Sequence, residues 1–347
     1  MSDILVSIII NNYNYARFLG EAIESALSQT YPETEVIVVD DGSTDDSRDI
    51  VRSYEERIIP VLKQNGGQAS AFNAGFKASR GEVVMFLDAD DLLLNKAAEQ
   101  VVRAWKPELA KVQFYLECVD ACGHSLGFSF PGWRTAVPPM DVRSLLLQTG
   151  FYNSPPTSGN AFSRRALAAV LPVDEDRHRI AADNYLLTTT PFFGSVLTLR
   201  EVLGQYRIHG SNTWLQNSLN IEKFHAYIFC DYENVGVVIA TATKLGIVAP
   251  DKETLALRQI QHIKVRLASL RLDPETHPLP SDRPLTLALR GIIALWRWSD
   301  IDSFRKRIVW TLWLLLVAML PAILARPLIS WALVPRGFLK RLAQMLT

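Results

Sequence analysis

Glu35-Val36-Ile37-Val38-Val39-Asp40-Asp41 and Val83-Val84-Met85-Phe86-Leu87-Asp88-Ala89-Asp90-Asp91 decide the fold of this chain. Each is a run of β-branched and apolar residues that reads as a buried strand and ends in carboxylates. Ligands of an open α/β sheet bind outside the carboxyl ends of its strands, so one crevice can receive both acidic ends. Carboxylates crowded in that way need a cation or hydrogen-bond donors. The pattern therefore points to a divalent metal carrying a phosphorylated ligand.

Outward from these two stretches the first hundred residues alternate strand and helix patterns. Strands are expected at 6–10, 35–40, 58–62 and 83–88, and helices at about 17–29, 45–56 and 68–79. This βαβ rhythm yields a parallel sheet with right-handed crossovers. Tyr31-Pro32 stops the first helix, Ser43 or Thr44 caps the second, and Gly81 separates the third from its strand. Beyond Asp91 the pattern loosens into strand-like stretches near 112–119 and 195–206 and helical ones near 143–149, 164–170 and 182–190. Residues 215–270 read as mainly helical, and Leu272 to Pro284, with four prolines, reads as a linker.

The composition is that of a globular protein: 347 residues, 48% hydrophobic and 21% charged. A formal net charge of zero conceals an asymmetry. From Pro284 to Thr347 there are nine Lys/Arg and two Asp, a balance of +7, which leaves −7 on residues 1–283. The basic segment is also the most apolar one, which favours a membrane surface over nucleic acid as its partner. Cys118, Cys122 and Cys230 lack the spacing of a disulfide framework or a zinc site. Met1-Ser2-Asp3 runs directly into Val6-Ser7-Ile8-Ile9-Ile10 without a signal-peptide pattern, which places the expected site of action at the cytoplasmic side.

Ile308 to Ala325 is eighteen residues without a charge and with Thr311 as its polar member. As a helix it would be about 27 Å long, close to the thickness of a hydrocarbon core. Pro321 would kink it and Arg326-Pro327 would end it. Arg305, Lys306 and Arg307 flank one side, and Arg336, Lys340 and Arg341 the other. Positive charge on both sides fits a re-entrant hairpin or an interfacial anchor better than a single span. Five of the eight tryptophans (296, 298, 310, 313 and 331) lie in this region. A buried core helix or an oligomer contact is the competing reading.

The loop Asn11-Asn12-Tyr13-Asn14-Tyr15 follows the first strand and reads either as a nucleobase-stacking element or as a capped turn. Neither G-x-G-x-x-G nor G-x-x-x-x-G-K-[ST] occurs in this region, so the dinucleotide and P-loop fingerprints are absent.

The segments VSIIINNYNYARFLGEAIESALSQTYPETEVIVVDDGSTD and NGGQASAFNAGFKASRGEVVMFLDADD, within about residues 5–105, resemble the inverting glycosyltransferases of family 2. The resemblance implies a glycosyltransferase-A fold: a Rossmann-like mixed α/β sheet flanked by helices, followed here by a helical, membrane-associating carboxyl-terminal region. It implies that Asp40 of D-D-G-S binds the nucleobase, usually uracil, and that Tyr13 lies against the base. Asn12, Asp41 and Gln68 fall in the same donor-binding positions. Asp88-Ala89-Asp90 matches the D-x-D element. Asp90 would bind Mn²⁺ or Mg²⁺ bridging the diphosphate, and Asp88 would contact the ribose or the metal. Ala181-Ala182-Asp183 matches the segment of the catalytic base, with one carboxylate where relatives usually have two, and helix capping is the alternative role of Asp183. Tyr206-Arg207-Ile208-His209 resembles a Y-R-x-H segment, making His209 a candidate third metal ligand or a structural histidine.

Two departures stand out. The family often has Pro at Asn11 and Arg at Phe72, and Arg207 is the candidate replacement cation for the diphosphate.

The expected organisation is a catalytic domain over 1–214, with a nucleotide-binding half at 1–105 and an acceptor half at 106–214. A helical extension and linker follow at 215–283, and a basic apolar region at 284–347. The implied activity is inverting transfer from a nucleotide sugar, most simply a UDP-sugar, to a hydroxyl of a lipid-linked or surface glycan. A non-catalytic nucleotide-sugar-binding scaffold is the alternative. A nucleotidyltransferase lacks support, because its glycine-rich basic loop is missing. No oligomeric state follows from the sequence.

Overall fold

The computed structural model describes residues 4–132, 137–210, 212, 219–301 and 303–333. The chain forms two compact units, Met1–Arg143 with Tyr152–His209, and Ser144–Phe151 with Gly210–Thr347.

The first unit begins β1 (Val6–Asn12), α1 (Ala16–Leu27), β2 (Thr34–Asp40), α2 (Ser47–Ser53), β3 (Ile59–Leu62), α3 (Gln68–Ala78) and β4 (Val83–Asp88). It continues with β5 (Leu92–Leu93), α4 (Ala97–Ala104), β6 (Leu109–Asp120) and β7 (Ser125–Phe130). After α5 (Val142–Thr149) come β8 (Asn160–Ser163), α6 (Arg164–Val170), α7 (Ala182–Thr189) and β9 (Ser195–Ile208). The sheet order is β3-β2-β1-β4-β8-β6-β9-β5, with β7 paired to β6. Strands β1 to β4 are parallel, and β8 is the antiparallel insert that makes the sheet mixed.

Alternation along β1 builds a core on each face of the sheet. Ile8 and Ile10 pack with Leu19, Ala22 and Ile23 of α1 on one face. Ile9 joins Val39, Phe86, Ala69 and Phe72 on the other. Phe72 is fully buried there, its ring 4.4 Å from that of Phe86.

The second unit contains α8 (Ile221–Lys244), α9 (Lys252–Ala256), α10 (Ile260–Leu272), α11 (Pro284–Arg297), α12 (Phe304–Met319) and α13 (Ala322–Leu333). Helices α8 and α10 to α13 share one core that includes Phe224, Ile263, Leu287, Leu314 and Ile329. Among the described residues, the helices before and after Pro284 thus do not pack as separate regions. A buried network joins the proline-rich connection to α10: Arg266 and His277 both bond Asp282, and His277 also meets Ser269 at 2.9 Å.

The apolar run 308–325 is not one kinked helix. Pro321 has no N–H and forces Leu320 into an extended conformation (ψ 152°), so α12 stops and α13 begins. Arg271 holds the Leu320 carbonyl at the break. Arg326-Pro327 does not end α13, which runs to Leu333 because Ala325 and Ile329 anchor it in the core. Trp313 lies in that core and donates to the Leu328 carbonyl at 2.8 Å. Among the described residues no helix is long and apolar enough to cross a membrane. Arg336, Lys340 and Arg341 lie outside the described residues. The three cysteines form no disulfide.

Helix α3 approaches the sheet at Gly75, where an added Cβ would meet Ile9 Cγ2 at 2.3 Å and Val39 Cγ2 at 3.1 Å. Gly75→Ala should therefore cost about 1–3 kcal/mol through overpacking. Urea unfolding of the two proteins measures this directly, and an unchanged midpoint would contradict the tight contact.

Candidate active site

The register of β1 explains how the acidic strand ends are tolerated. Asn12 stands opposite Asp40 on β2, and Asn11 opposite Asp88 on β4. Asn12 donates to Asp40 Oδ1 at 3.0 Å, and Asn11 to Asp88 Oδ1 at 2.6 Å. The two amides at the end of the central strand thus serve one carboxylate on each side. The departure at Asn11 acquires a physical role in this way.

Asp40 is fully buried and also accepts from the Ser43 amide and from Arg48 Nε at 2.9 Å. Asp41 accepts from the Gly66 and Gly67 amides and pairs with Lys63 at 2.5 Å. Charge-assisted and backbone donors thus compensate the burial of both carboxylates. Asn12 is buried, and Tyr13, next to it in sequence, is about half exposed. Asn14, at φ 59°, bonds Thr44 and Ser43 and so ties the first loop to the D-D-G-S loop.

The second acidic end turns its three carboxylates in three directions. Asp91 is buried and accepts from Ser158 Oγ at 2.6 Å and from the Arg207 amide at 2.9 Å. Asp90 meets His209 Nε2 at 2.9 Å, and the imidazole is held between Tyr15 and Phe18. Asp88 turns to Asn11. Burial is the main cause that pushes the Asp88 carboxyl up to about 7, with the charges of Asp90 and Asp183 adding and the bond from Asn11 opposing. Burial likewise holds Asp91 well above the usual carboxylate range, reinforced by Asp90 and Asp88.

Asp183 lies in the first turn of α7 and is raised by burial, partly offset by the Asn184 amide and by Thr157. Thr157 Oγ1 is 3.4 Å from Asp183 Oδ2, and the charge of Asp183 reaches Asp88. The helix N-cap is Ala181, in the left-handed region at φ 62°, so Asp183 is not the cap residue. Gln68 holds this strained turn: its Oε1 accepts from the Ala182 amide at 2.9 Å, and its own amide donates to the Arg179 carbonyl.

Three expectations change against this geometry. Arg207, the candidate for the diphosphate, is buried and directs its guanidinium to the Asp90 and Ala121 carbonyls and to Glu21 at 2.6 Å. It braces the acidic turn instead of presenting a cation to a ligand. Gln68 bonds the turn that precedes Asp183 instead of an open donor surface. Asp88, Asp90 and His209 do not assemble as a three-ligand set: among the described residues no group of three or more His, Cys, Asp or Glu is arranged to hold a metal. The Asp90 and His209 pair is nevertheless an oxygen-plus-imidazole donor set of the kind Mn²⁺ accepts, and a metal carried by a diphosphate takes its remaining ligands from phosphate and water.

Sequence reasoning missed Arg48, Lys63, Thr157 and Ser158. Lys63 follows the last residue of β3, and the strand-end rule could have found it. The other three become visible only through contacts.

Residues 7–133 match the Glycosyl transferase family 2 model. The chain carries a family 2 glycosyltransferase domain. An uncharacterized glycosyltransferase of Nostoc sp. is 42% identical over 215 residues, 60% of this chain and 66% of that protein. An uncharacterized glycosyltransferase of Rickettsia typhi is 43% identical over 141 residues, 40% of this chain and 44% of that protein. The chain thus spans just under two thirds of the first relative and less than half of the second. Among solved structures, S. aureus TarS residues 1–349 in complex with UDP-GlcNAc is similar with a TM-score of 0.55 and 16% identity. That alignment covers 94% of this chain and 91% of that one. The glycosyltransferase domain accordingly has the glycosyltransferase-A fold.

Two predictions follow from the site of this domain. Asp88 and Asp91 bind protons more tightly folded than unfolded, and for Asp88 the folded state carries the extra proton between pH 3.8 and about 7. With EDTA present, stability should therefore fall as pH rises through that window, and Asp88→Asn should flatten the dependence in urea titrations. Gln68→Ala should lower kcat about tenfold by loosening Asp183 while changing donor KM less than about twofold. Gln68→Glu, which keeps the acceptor, should restore much of the rate. A loss confined to donor KM would instead mark Gln68 as a donor contact.

Proposed function

We propose that the chain transfers a sugar from a nucleotide sugar, a UDP-sugar, to a hydroxyl of a lipid-linked or surface glycan at the cytoplasmic face of a membrane, with inversion at the anomeric carbon. The observation that carries the reading is the buried Asp183 carboxylate, held by Thr157 and close enough to Asp88 for its charge to act there, beside the acidic turn whose Asp90 pairs with His209. A carboxylate raised by burial is suited to accept a proton.

In the proposed reaction Asp183 takes the acceptor hydroxyl proton as the acceptor oxygen bonds to the anomeric carbon. The bond from that carbon to the diphosphate oxygen breaks on the opposite face, and the nucleoside diphosphate leaves with the bonding pair. Asp40 and Tyr13 take the nucleobase, and Asp88 takes the ribose. Asp90 and His209 would hold Mn²⁺ or Mg²⁺, which when bound supplies positive charge to the leaving diphosphate. Lys63 and Arg48 are the cations on the donor side, in place of the buried Arg207. Support for a UDP-linked donor comes from the shared fold with a protein solved in complex with UDP-GlcNAc.

Asp183→Asn should abolish transfer while leaving donor affinity within about twofold, and His209→Ala or Asp90→Asn should weaken metal-dependent donor binding at least about tenfold. UDP release from a panel of UDP-sugars with Mn²⁺, together with donor calorimetry, separates these outcomes. Equal transfer by wild type and Asp183→Asn would remove the base assignment.

A further inference from the structure

We propose that the outer face of α11 and α12 is a docking surface for an anionic lipid bilayer, lying in the headgroup region without crossing it. The inference rests on the second unit alone and is independent of the reaction proposed above.

Both helices are apolar on two sides. Their inner sides fill the core through Leu287, Ala294, Trp313, Leu314 and Val317. Their outer sides carry Leu285, Leu289 and Ile293 on α11, and Ile308, Leu312 and Leu316 on α12, all 39–59% exposed. Spacings of four residues place each set on one helical stripe. The helices lie antiparallel and in register. The Trp296 indole donates to Thr311 at 3.0 Å and its ring meets that of Phe304 edge to face, while Gly291 lies close against Leu314. Arg307 fixes the turn between them by donating to the Trp296, Ser299 and Ile301 carbonyls. The two stripes therefore run side by side as one apolar strip.

Charge identifies what covers it. Arg290, Arg297, Arg305 and Lys306 are exposed on the same two helices. A symmetric second copy would bring these like charges together, whereas anionic headgroups complement them. Exposed Trp296 and Trp331 are residues suited to the membrane interface. The apolar run that the sequence offers as an anchor is thus already half used by the core. The docking surface is completed by α11, which lies outside that run.

Flotation of the full chain with phosphatidylcholine vesicles, with and without phosphatidylglycerol, tests this. Wild type should float only with phosphatidylglycerol and should be released by high salt. The exposed-site variant Leu289→Glu/Leu312→Glu should lose at least about tenfold in partitioning with an unchanged melting temperature. Arg305→Glu/Lys306→Glu should lose the preference for phosphatidylglycerol. Should the glutamate variant not fold, brominated-acyl lipids applied to the native fold give the same answer, because they should quench wild type more than Trp296→Phe. No flotation of wild type, or no quenching, overturns the proposal. So does a wild-type dimer that the glutamate variant converts to monomer while lipid is ignored, which would assign the strip to self-association.

Discussion

The pairing of β1 with both β2 and β4 is the constraint on which the rest of the site depends. It sets Asn12 opposite Asp40 and Asn11 opposite Asp88, so two neutral amides stand between two acidic strand ends. A slip of one residue would exchange the faces of Ile8, Ile9 and Ile10 and carry both amides away from their carboxylates. Core packing and site assembly are therefore specified by the same register. The β-branched run that drives burial is also what places the polar residues beyond it.

Around that frame the acids divide their tasks by their partners. Asp40 and Asp41 are ion-paired and hydrogen-bonded at one side of β1, whereas Asp88 and Asp91 lie at the other side under strong desolvation. Loop 65–68 connects the two regions. Asp41 holds the Gly66 and Gly67 amides, and Gln68, next in sequence, holds the turn before Asp183. Gly67 is needed there both for its φ of 85° and because a Cβ would meet the Arg179 carbonyl at 2.5 Å.

The parallel half of the sheet was legible because long β-branched runs end in acidic or turn residues, and the predicted spans for β1 to β4 match to within a residue or two. Strands β5 and β8, of two and four residues, carry too little pattern to be read, and helix α4 was missed where the periodicity loosens. Asp90 and His209 were legible together as candidate metal ligands, and they meet at 2.9 Å although 119 positions separate them. Arg207 shows the limit from the other side. A sequence displays a cation, but not that carbonyls and Glu21 already surround it. In the carboxyl-terminal region hydrophobicity alone could not divide one apolar run between a core and a surface, because that division depends on which helices lie beneath it.

The buried guanidinium of Arg207 has a consequence for how the site meets its ligand. It joins the end of β9 to the Asp90 carbonyl, the Ala121 carbonyl and α1, while its own amide closes on Asp91. His209 follows two residues later and is clamped between two rings of the α1 region. Imidazole and carboxylate are thereby set before any ligand arrives. The ordering entropy of that pair is borne by folding, so a ligand that uses it would have only its own freedom to lose.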